Sequence, residues 1–584
     1  MKMGFRVILI GILLLSITAA RVSGQTSPPR LFFTDIVTGA KTGGEGNNGV
    51  YLTIYGKGFG ASRGSSTVTI GGGAPAQYKL WGESNSINTM LDMIVVQIGP
   101  NAATGNVVVT VNGKASNGLP FTVSGGNIYF VSPNGNDSAA GTFAAPWKNP
   151  SKARTTVAAG DTVYFRAGTY TSIDNDGSVM ECNSSCNGTA SAYVNFLGYP
   201  GEVATLGDST VVRAIYHWAA SVWNYATIAE LTLRGQQYGM TCQNVLPGGA
   251  CNFIRLVGND MRSLDGGSTA FDMEMPVDHI FVYGNESAHN CLGASDCTFD
   301  QRAYSMYFGG YGAQNNVDIG WNRLHDNPFG KGIQIYGHIA GDTISNLVIH
   351  DNEIYNNTMV GIALGGSDGN TDFIHDATLY NNLIWNNSNG AGADHMIFGG
   401  VELNGLDSAD GIYSIYNNTF YQNSPAHNGV QAGGEIAFAT QGPKSVTLEN
   451  NIFFASPGSP CYYYFDDQTA SMASRVASAN NLYLNAGSNA TGCNYNVGSI
   501  GVTKDAKAVS ANPNFVAAAS QNFQLSSGSP AIDAGTNTGV ALDFNGVARP
   551  QGAAFDIGAF EFASGSSSAA QPPAPPTNLR VSVQ

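Results

Sequence analysis

Between residues 250 and 485 one order of apolar and polar positions recurs: apolar, any, apolar, any, any, Asn, any, apolar. It reads "IRLVGNDM", "IFVYGNES", "VDIGWNRL", "LVIHDNEI", "ATLYNNLI", "YSIYNNTF", "VTLENNIF" and "VASANNLY". The shared residues are Asn259, Asn285, Asn322, Asn352, Asn382, Asn418, Asn451 and Asn481, spaced by 26, 37, 30, 30, 36, 33 and 30. A period of this size means a solenoid. One unit cannot bury its own apolar face, and stacking the units creates a continuous core. The sharp turn in each unit needs a residue that accepts left-handed backbone and bonds to backbone groups. The asparagines are therefore expected to sit at that turn and to bond from coil to coil, as structure and not as ligands.

A second strand follows in each coil, as "AFDMEM", "YSMYF", "GIQIY", "GIALG", "GVELN" and "EIAFA". Alternation turns Phe271, Met273, Met306, Phe308, Ile333, Ile335, Ile362, Leu364, Val401, Leu403, Ile436 and Phe438 inward. It leaves Asp272, Glu274, Ser305, Tyr307, Gln334, Tyr336, Glu402, Asn404 and Glu435 on one exposed sheet face. The expected fold class is all-β: a right-handed parallel β-helix, a solenoid, behind a small immunoglobulin-like β-sandwich.

That sandwich is read from residues 25–126. Short alternating runs, Val50 to Tyr55, Ser66 to Ile70, Ile94 to Ile98 and Val107 to Val111, are separated there by Gly- and Asn-rich turns. The segments "GVYLTIYGKGFG", "STVTIGG" and "TGNVVVTVNGKASNGLPFTV" resemble the IPT/TIG family, which implies a spacer or binding module without catalysis. Residues 127–562 form the helix. They open with "IYFVSPNGNDSAAGTFAAPW", which can cap the first strand edge, and the strand "DTVYFRAGTY". They close with "SGSPAIDAGTNTG" and "DFNGVARPQGAAFDIGAFEF". Both ends look like those of exported β-helix proteins, and the body resembles the pectate-lyase-like superfamily. Residues 563–584 are a Ser/Pro/Ala-rich linker or tail.

Export changes the reading of the cysteines. Lys2 and Arg6, the apolar run Val7 to Ile17 and the small residues Val22-Ser23-Gly24 make residues 1–24 a signal peptide. The run is short for a membrane span, and no later segment is apolar enough for one. A secreted or cell-surface monomer is expected, not an integral membrane protein. The eight cysteines then suggest disulfides, with Cys182–Cys186, Cys242–Cys251, Cys291–Cys297 and Cys461–Cys493 as the expected pairs. The formal charge is −15. Without Lys2, Arg6 and Arg21 it becomes −18 (−15 less three cations), which excludes nucleic acid as a partner.

An extracellular polysaccharide fits better, since the outward face is a long groove. The superfamily resemblance implies a lyase or hydrolase. No polygalacturonase-like "NTD…DD…GHG…RIK" series is present, so architecture is fixed more tightly than activity. Two segments, "DQRAYSMYFGGYG" and "DNPFGKGIQIYGH", place Asp300, Arg302, Tyr304, Tyr307, Lys331, Tyr336 and His338 in adjacent coils. Proton removal beside a uronate carboxylate needs a base and a cation. Lys331, His338 or Tyr307 is the candidate base, and Arg302 the two-point carboxylate holder. Tyr304, Gln334, Tyr336 and Trp321 join Asp272, Glu274, Glu402, Asn404 and Glu435 as candidate sugar contacts. Asp300, Asp272 and Glu274 are candidate Ca²⁺ ligands. Asp272, Glu274, Glu402, Asp407, Asp410 and Glu435 could instead supply two carboxylates for hydrolysis. A loop cluster, Asp368, Asp372, His375, Asp376, Asp394 and His395, is a further metal candidate. A lyase is expected over a hydrolase; the rival of another class is a non-catalytic adhesin or binding protein.

Overall fold

A computed structural model describes residues 27–82, 88–174, 176–218, 220–243, 248–262, 269–291, 303–309, 312–337, 341–366, 373–390, 399–404, 411–425, 434–439, 443–456, 459, 461–464, 475–485, 505 and 507–563. Its body is a stack of coils whose strands fall into parallel sheets. The longest has twelve strands, from Ile128–Val131 to Val476–Ala479. A second has ten, from Ser178–Glu181 to Tyr462–Tyr464. A third has seven, from Glu286–Ala288 to Leu482–Asn485. Bridges from Thr232 to Asp260 and from Asp260 to Glu286 join the third to an earlier set, Gly168–Tyr170, Ala204–Leu206 and Thr232–Leu233. This is a parallel β-helix. The twelve residues expected to point inward are all fully buried, within one apolar cluster running from Val131 to Tyr483. Each such side chain contributes roughly 1.5–3 kcal/mol.

The eight asparagines form a ladder inside the turn, each fully buried. The backbone N–H and the amide of each donate to Oδ1 of the next, at 2.9–3.1 Å from Asn259 to Asn481. The amide also donates to a strand carbonyl one coil back: Leu256 for Asn285, Ile319 for Asn352, Ile415 for Asn451. Each side chain thereby pairs backbone groups that the turn takes out of the strand ladder. The run ends on a carboxylate, Asp505 Oδ2, which accepts from both nitrogens of Asn481.

The left-handed backbone is not at these asparagines, contrary to expectation. It belongs to the residue before each: Gly258, Gly284, Trp321, Asp351, Asn381, Asn417, Asn450 and Asn480, with φ of +52° to +66°. The ladder asparagine turns inward and its predecessor faces outward. What stands outside then explains the predecessor's identity. A Cβ on Gly258 would lie 2.4 Å from the Tyr55 hydroxyl, and one on Gly284 2.9 Å from the Phe33 ring. Trp321 stacks on Phe32 at 5.4 Å, so it packs the domain interface and is not a sugar platform. Asn381, Asn417, Asn450 and Asn480 instead donate to Leu542, Asp556, Thr536 and Ala534 carbonyls of the C-terminal segment.

Tyr55, Phe33 and Phe32 belong to an N-terminal sandwich. One sheet joins Arg30–Thr34, Tyr51–Lys57, Asp92–Gln97 and Gln77–Trp81. The other joins Thr38–Gly39, Leu119–Val123, Gly105–Val111 and Thr67–Ile70, with Lys114–Ala115 paired at the side. The sandwich shares a core with the outer face of the twelve-stranded sheet, including Tyr164, Leu197, Ala229, Val257 and Tyr283. Tyr164 accepts from Tyr51 N–H at 2.7 Å, and Arg255 donates to the Thr34 carbonyl at 2.8 Å. Burial pushes Asp35 up to about 7 and Glu230, which meets the Tyr55 hydroxyl, up to about 8. The C-terminal segment adds Val509 beside Leu482 on the last coil, then runs along the flank. Its "DFNG" and "DIGAFE" carboxylates accept backbone N–H groups, and Arg549 pairs with Glu561 at 2.9 Å with both side chains fully buried.

Cys182–Cys186 and Cys242–Cys251 are disulfides. Cys291 and Cys461 are also disulfide-bonded; Cys297 and Cys493 lie outside the described residues. So do residues 1–24 and 564–584. Among the described residues no helix is long and apolar enough to cross a membrane.

Asn352→Ala removes the acceptor of Asn322 and strands the Ile319 carbonyl. It should cost about 3–5 kcal/mol in denaturant unfolding. Asn346→Ala, at an exposed left-handed position whose amide donates to Asn316 Oδ1, should cost about 1–2 kcal/mol. Equal costs would show that the ladder adds nothing to an ordinary turn.

Candidate functional site

The sandwich covers the N-terminal strands of the twelve-stranded sheet, and the ten-stranded sheet carries the candidate polar residues. One outward row runs in register through Glu181, Tyr216, Thr241, Asp272, Tyr307, Gln334, Ala363, Glu402 and Ala437. A parallel row holds Gln243 and Glu274, and further along Gly309, Tyr336, Gly365 and Asn404.

This face is less open than alternation implies. Asp272 and Glu402 are each 1 % exposed, Tyr307 5 %, Gln334 7 % and Lys331 3 %. Side chains on successive coils stand only about 4.8 Å apart and cover one another. Two of the expected outward residues are structural. A second asparagine ladder, unforeseen in the repeat, runs five residues after the first through Asn290, Asn327, Asn357, Asn387 and Asn423. Ser305 accepts from Asn327 at 2.9 Å. Glu435 ends this ladder, accepting the Asn423 N–H at 3.2 Å. A Cβ on Gly361 or Gly400 would lie 3.0 Å from a ladder amide, so only glycine fits on those coils. Glu435 thus belongs to the scaffold and not to an exposed surface.

The chemistry-bearing cluster is centred on Lys331. Its Nζ donates to Gln334 Oε1 at 2.6 Å and lies 5.8 Å from the Tyr304 ring centroid. Tyr304 stacks on Tyr307 at 5.5 Å. Burial holds the Lys331 ammonium below its ordinary 10.5, with Glu402 pulling the other way. Burial likewise pushes Glu402 up to about 7, against the pull of Lys331. Both groups are thereby brought toward neutrality, where a lysine can take a proton. Glu402 Oε2 is buried with no hydrogen-bond partner among the described residues. Ala363 stands in register between Gln334 and Glu402, and Gly365 between Tyr336 and Asn404. By their size these two short residues interrupt the rows of larger side chains for one coil, a recess in the register with the coil of Lys331 on one side and that of Glu402 on the other.

Next along the row is an acidic pair. Thr241 donates to Asp272 at 2.9 Å, and Gln243 donates to Glu274. Burial, then the neighbouring Glu274, raises Asp272 well above the carboxylate range. Burial and these two acids also raise the Tyr307 phenol. Tyr307 therefore holds its proton more tightly than a free phenol, which suits it to donate a proton. Tyr336 is partly exposed beside the recess.

Asp300, Arg302 and His338 lie outside the described residues, as do Asp368, Asp372, Asp394, His395, Asp407, Asp410 and the Asn404 side chain. His375 and Asp376 sit at the start of one strand of the twelve-stranded sheet, away from this face. Among the described residues no three His, Cys, Asp or Glu side chains converge as a metal site. Of the three residues expected to bind Ca²⁺, Asp272 and Glu274 stand two residues apart on the same strand, and Asp300 lies outside the described residues. Thr241, Gln243 and the recess floor escaped the sequence reading; a small residue breaking a row of large polar ones is the signal that could have found the recess.

Residues 36–123 match the IPT/TIG domain family. Among solved structures the chain is similar to the pectate lyase Pel9A, at 15% identity over 74% of this chain and 96% of that one, with a TM-score of 0.41. It is similar to a rhamnogalacturonan lyase, at 14% identity over 61% and 87%, with a TM-score of 0.31. It is also similar to the A-module of the Azotobacter vinelandii mannuronan C-5 epimerase AlgE6, at 14% identity over 61% and 91%, with a TM-score of 0.36. No curated protein matches the chain.

Glu402→Gln removes the charge that sustains the Lys331 ammonium, so the lysine pKa should fall further. Lysine-selective ¹³C NMR titration reads this, with the resonance assigned by its loss in Lys331→Arg. An unchanged midpoint would show that the two groups do not interact.

Proposed function

We propose that this parallel β-helix protein with a docked IPT/TIG domain is an extracellular polysaccharide lyase that cleaves a uronate-containing glycan by β-elimination. The observation that carries the reading is a buried lysine with a depressed pKa, at the rim of a one-coil recess, next to a tyrosine held protonated. In the reaction Lys331, neutral, takes the proton on the carbon beside the uronate carboxylate. The electron pair forms a double bond to the neighbouring ring carbon, and the glycosidic oxygen leaves from that carbon. Tyr307 gives the leaving oxygen its proton. Gln334 orients the lysine through their hydrogen bond. Arg302 is assigned to the uronate carboxylate and His338 to the rim, both as proposals. Asp272 and Glu274 would hold Ca²⁺, which would supply further positive charge toward that carboxylate. Tyr304, Tyr336 and Asn404 would line the sugar path. The disulfides and the signal-like leader fit an extracellular place of work.

Asp272 and Glu274 also favour a second reading, glycoside hydrolysis. One carboxyl of the pair is raised by burial and by the other, as an acid and its partner require. A third, a binding or adhesion protein, needs no turnover.

One assay separates them. The mature protein is incubated with a panel of polysaccharides, and ultraviolet absorbance of unsaturated ends is read beside new reducing ends. The lyase reading expects both signals together. It also expects a rate that rises with pH through a midpoint below 10.5, since the base form of Lys331 is populated above its folded pKa. Lys331→Ala should lower the rate about 10²–10⁴-fold with the fold intact. Reducing ends without absorbance would mean a hydrolase, and neither signal a binding protein. Unchanged turnover in Lys331→Ala would take the lysine out of the site.

A further inference from the structure

The same face carries an unassigned platform nearer the N-terminal end of the stack. Trp218 follows the strand Arg213–His217 and is 39% exposed, the one aromatic among the large exposed apolar side chains of the described residues. His217 pairs with Cys242, so Trp218 heads the outward row that continues through Gln243 and Glu274. Its ring lies 5.9 Å from that of Tyr216, at 32°. Tyr216 follows Glu181 in the neighbouring row, which continues through Thr241, Asp272, Tyr307 and Gln334. Both rows of the candidate site therefore lead to this aromatic pair.

A cation sits with it. The Arg213 guanidinium lies 4.3 Å above the Tyr216 ring and 5.8 Å from that of Tyr238. Among the described residues its one hydrogen bond goes to the Asp176 carbonyl at 3.3 Å, and its buried Nε has no partner. Among the described residues it makes no ion pair, although Asp176 and Glu181 stand near Tyr216. Asp272, two coils along, feels its charge, but no carboxylate of the described residues stands within ion-pair distance of the guanidinium, in a chain with 26 Lys and Arg against 41 Asp and Glu. Its planar fork matches a carboxylate at two points. An exposed indole offers a flat apolar surface to the C–H face of a sugar ring.

We propose that Trp218, Tyr216 and Arg213 form a distal subsite for a uronate residue of the same polymer, its ring on Trp218 and its carboxylate on Arg213. The identity of the polymer rests on the lyase reading. Tyr216 stands four coils from Gln334 along the register, roughly 19 Å at about 4.8 Å per coil. That is close to one sugar ring per coil, so a chain seated in the recess reaches Trp218 only when several residues long.

Calorimetric binding to uronate oligosaccharides of three to eight residues tests this, with the full chain carrying Lys331→Ala so that nothing is cut. Trp218→Ala and Arg213→Gln, added singly, should each weaken the longest ligands about tenfold and leave trimers unchanged; Trp218→Phe should restore most of the Trp218 loss. Equal affinities at every length, or no binding of any uronate oligosaccharide, overturn the subsite. Length-dependent binding lost at Trp218, without turnover in the parent protein, retains the subsite and removes the lyase. Turnover with length-independent affinities does the reverse.

Discussion

The hydrogen bond from each buried asparagine to the next is the constraint on which this architecture rests. A turn inside a solenoid takes backbone groups away from the strand ladder, and water cannot reach them there. The asparagine amide accepts from one coil while donating to another, so it pairs those groups and fixes the register. Both ladders end on an acid, Asp505 for one and Glu435 for the other. Past the last asparagine there remain a backbone N–H and an amide to satisfy, and a carboxylate accepts both without needing a partner of its own.

The register fixed by the ladder also decides what can approach from outside. The residue before each asparagine is forced outward in left-handed geometry, and its type follows its neighbour. Glycine stands where the sandwich presses against the turn, and asparagine where the C-terminal segment needs a donor. On the ten-stranded sheet the second ladder restricts one row to glycine and serine and leaves the next rows for function. Lys331, Gln334 and Tyr307 are held by the same stacking that holds the core.

Much of this was legible in the sequence. Eight asparagines at repeated spacing, and strands whose alternate residues are all apolar, leave few arrangements besides a stacked coil. The inward set, Phe271 through Phe438, follows from period-two geometry alone. The second ladder was harder to see. Asn290, Asn327, Asn357, Asn387 and Asn423 follow short strands without an apolar motif of their own, in a chain where asparagine is common. Glu435 misled for a related reason. Alternation places it outward, but it stands at a ladder's end, where outward means into a buried amide and not into water. Alternation sees the direction of a side chain and not what lies beyond it. For the same reason Asp272, Gln334 and Glu402 were expected open and are enclosed. The recess is a contrast between Ala363 or Gly365 and the large residues one coil away, and it emerges only once the register is known.

Native-state hydrogen exchange tests the ladder most directly. The backbone N–H groups of Asn285, Asn322, Asn352, Asn382 and Asn418 donate to a side chain and not to a strand carbonyl, so their protection reports on the ladder alone. If the ladder ties the coils together, all five exchange slowly, with one opening free energy equal to that of global unfolding. Fast exchange at these positions, beside protected strand amides in the same coils, would contradict the account.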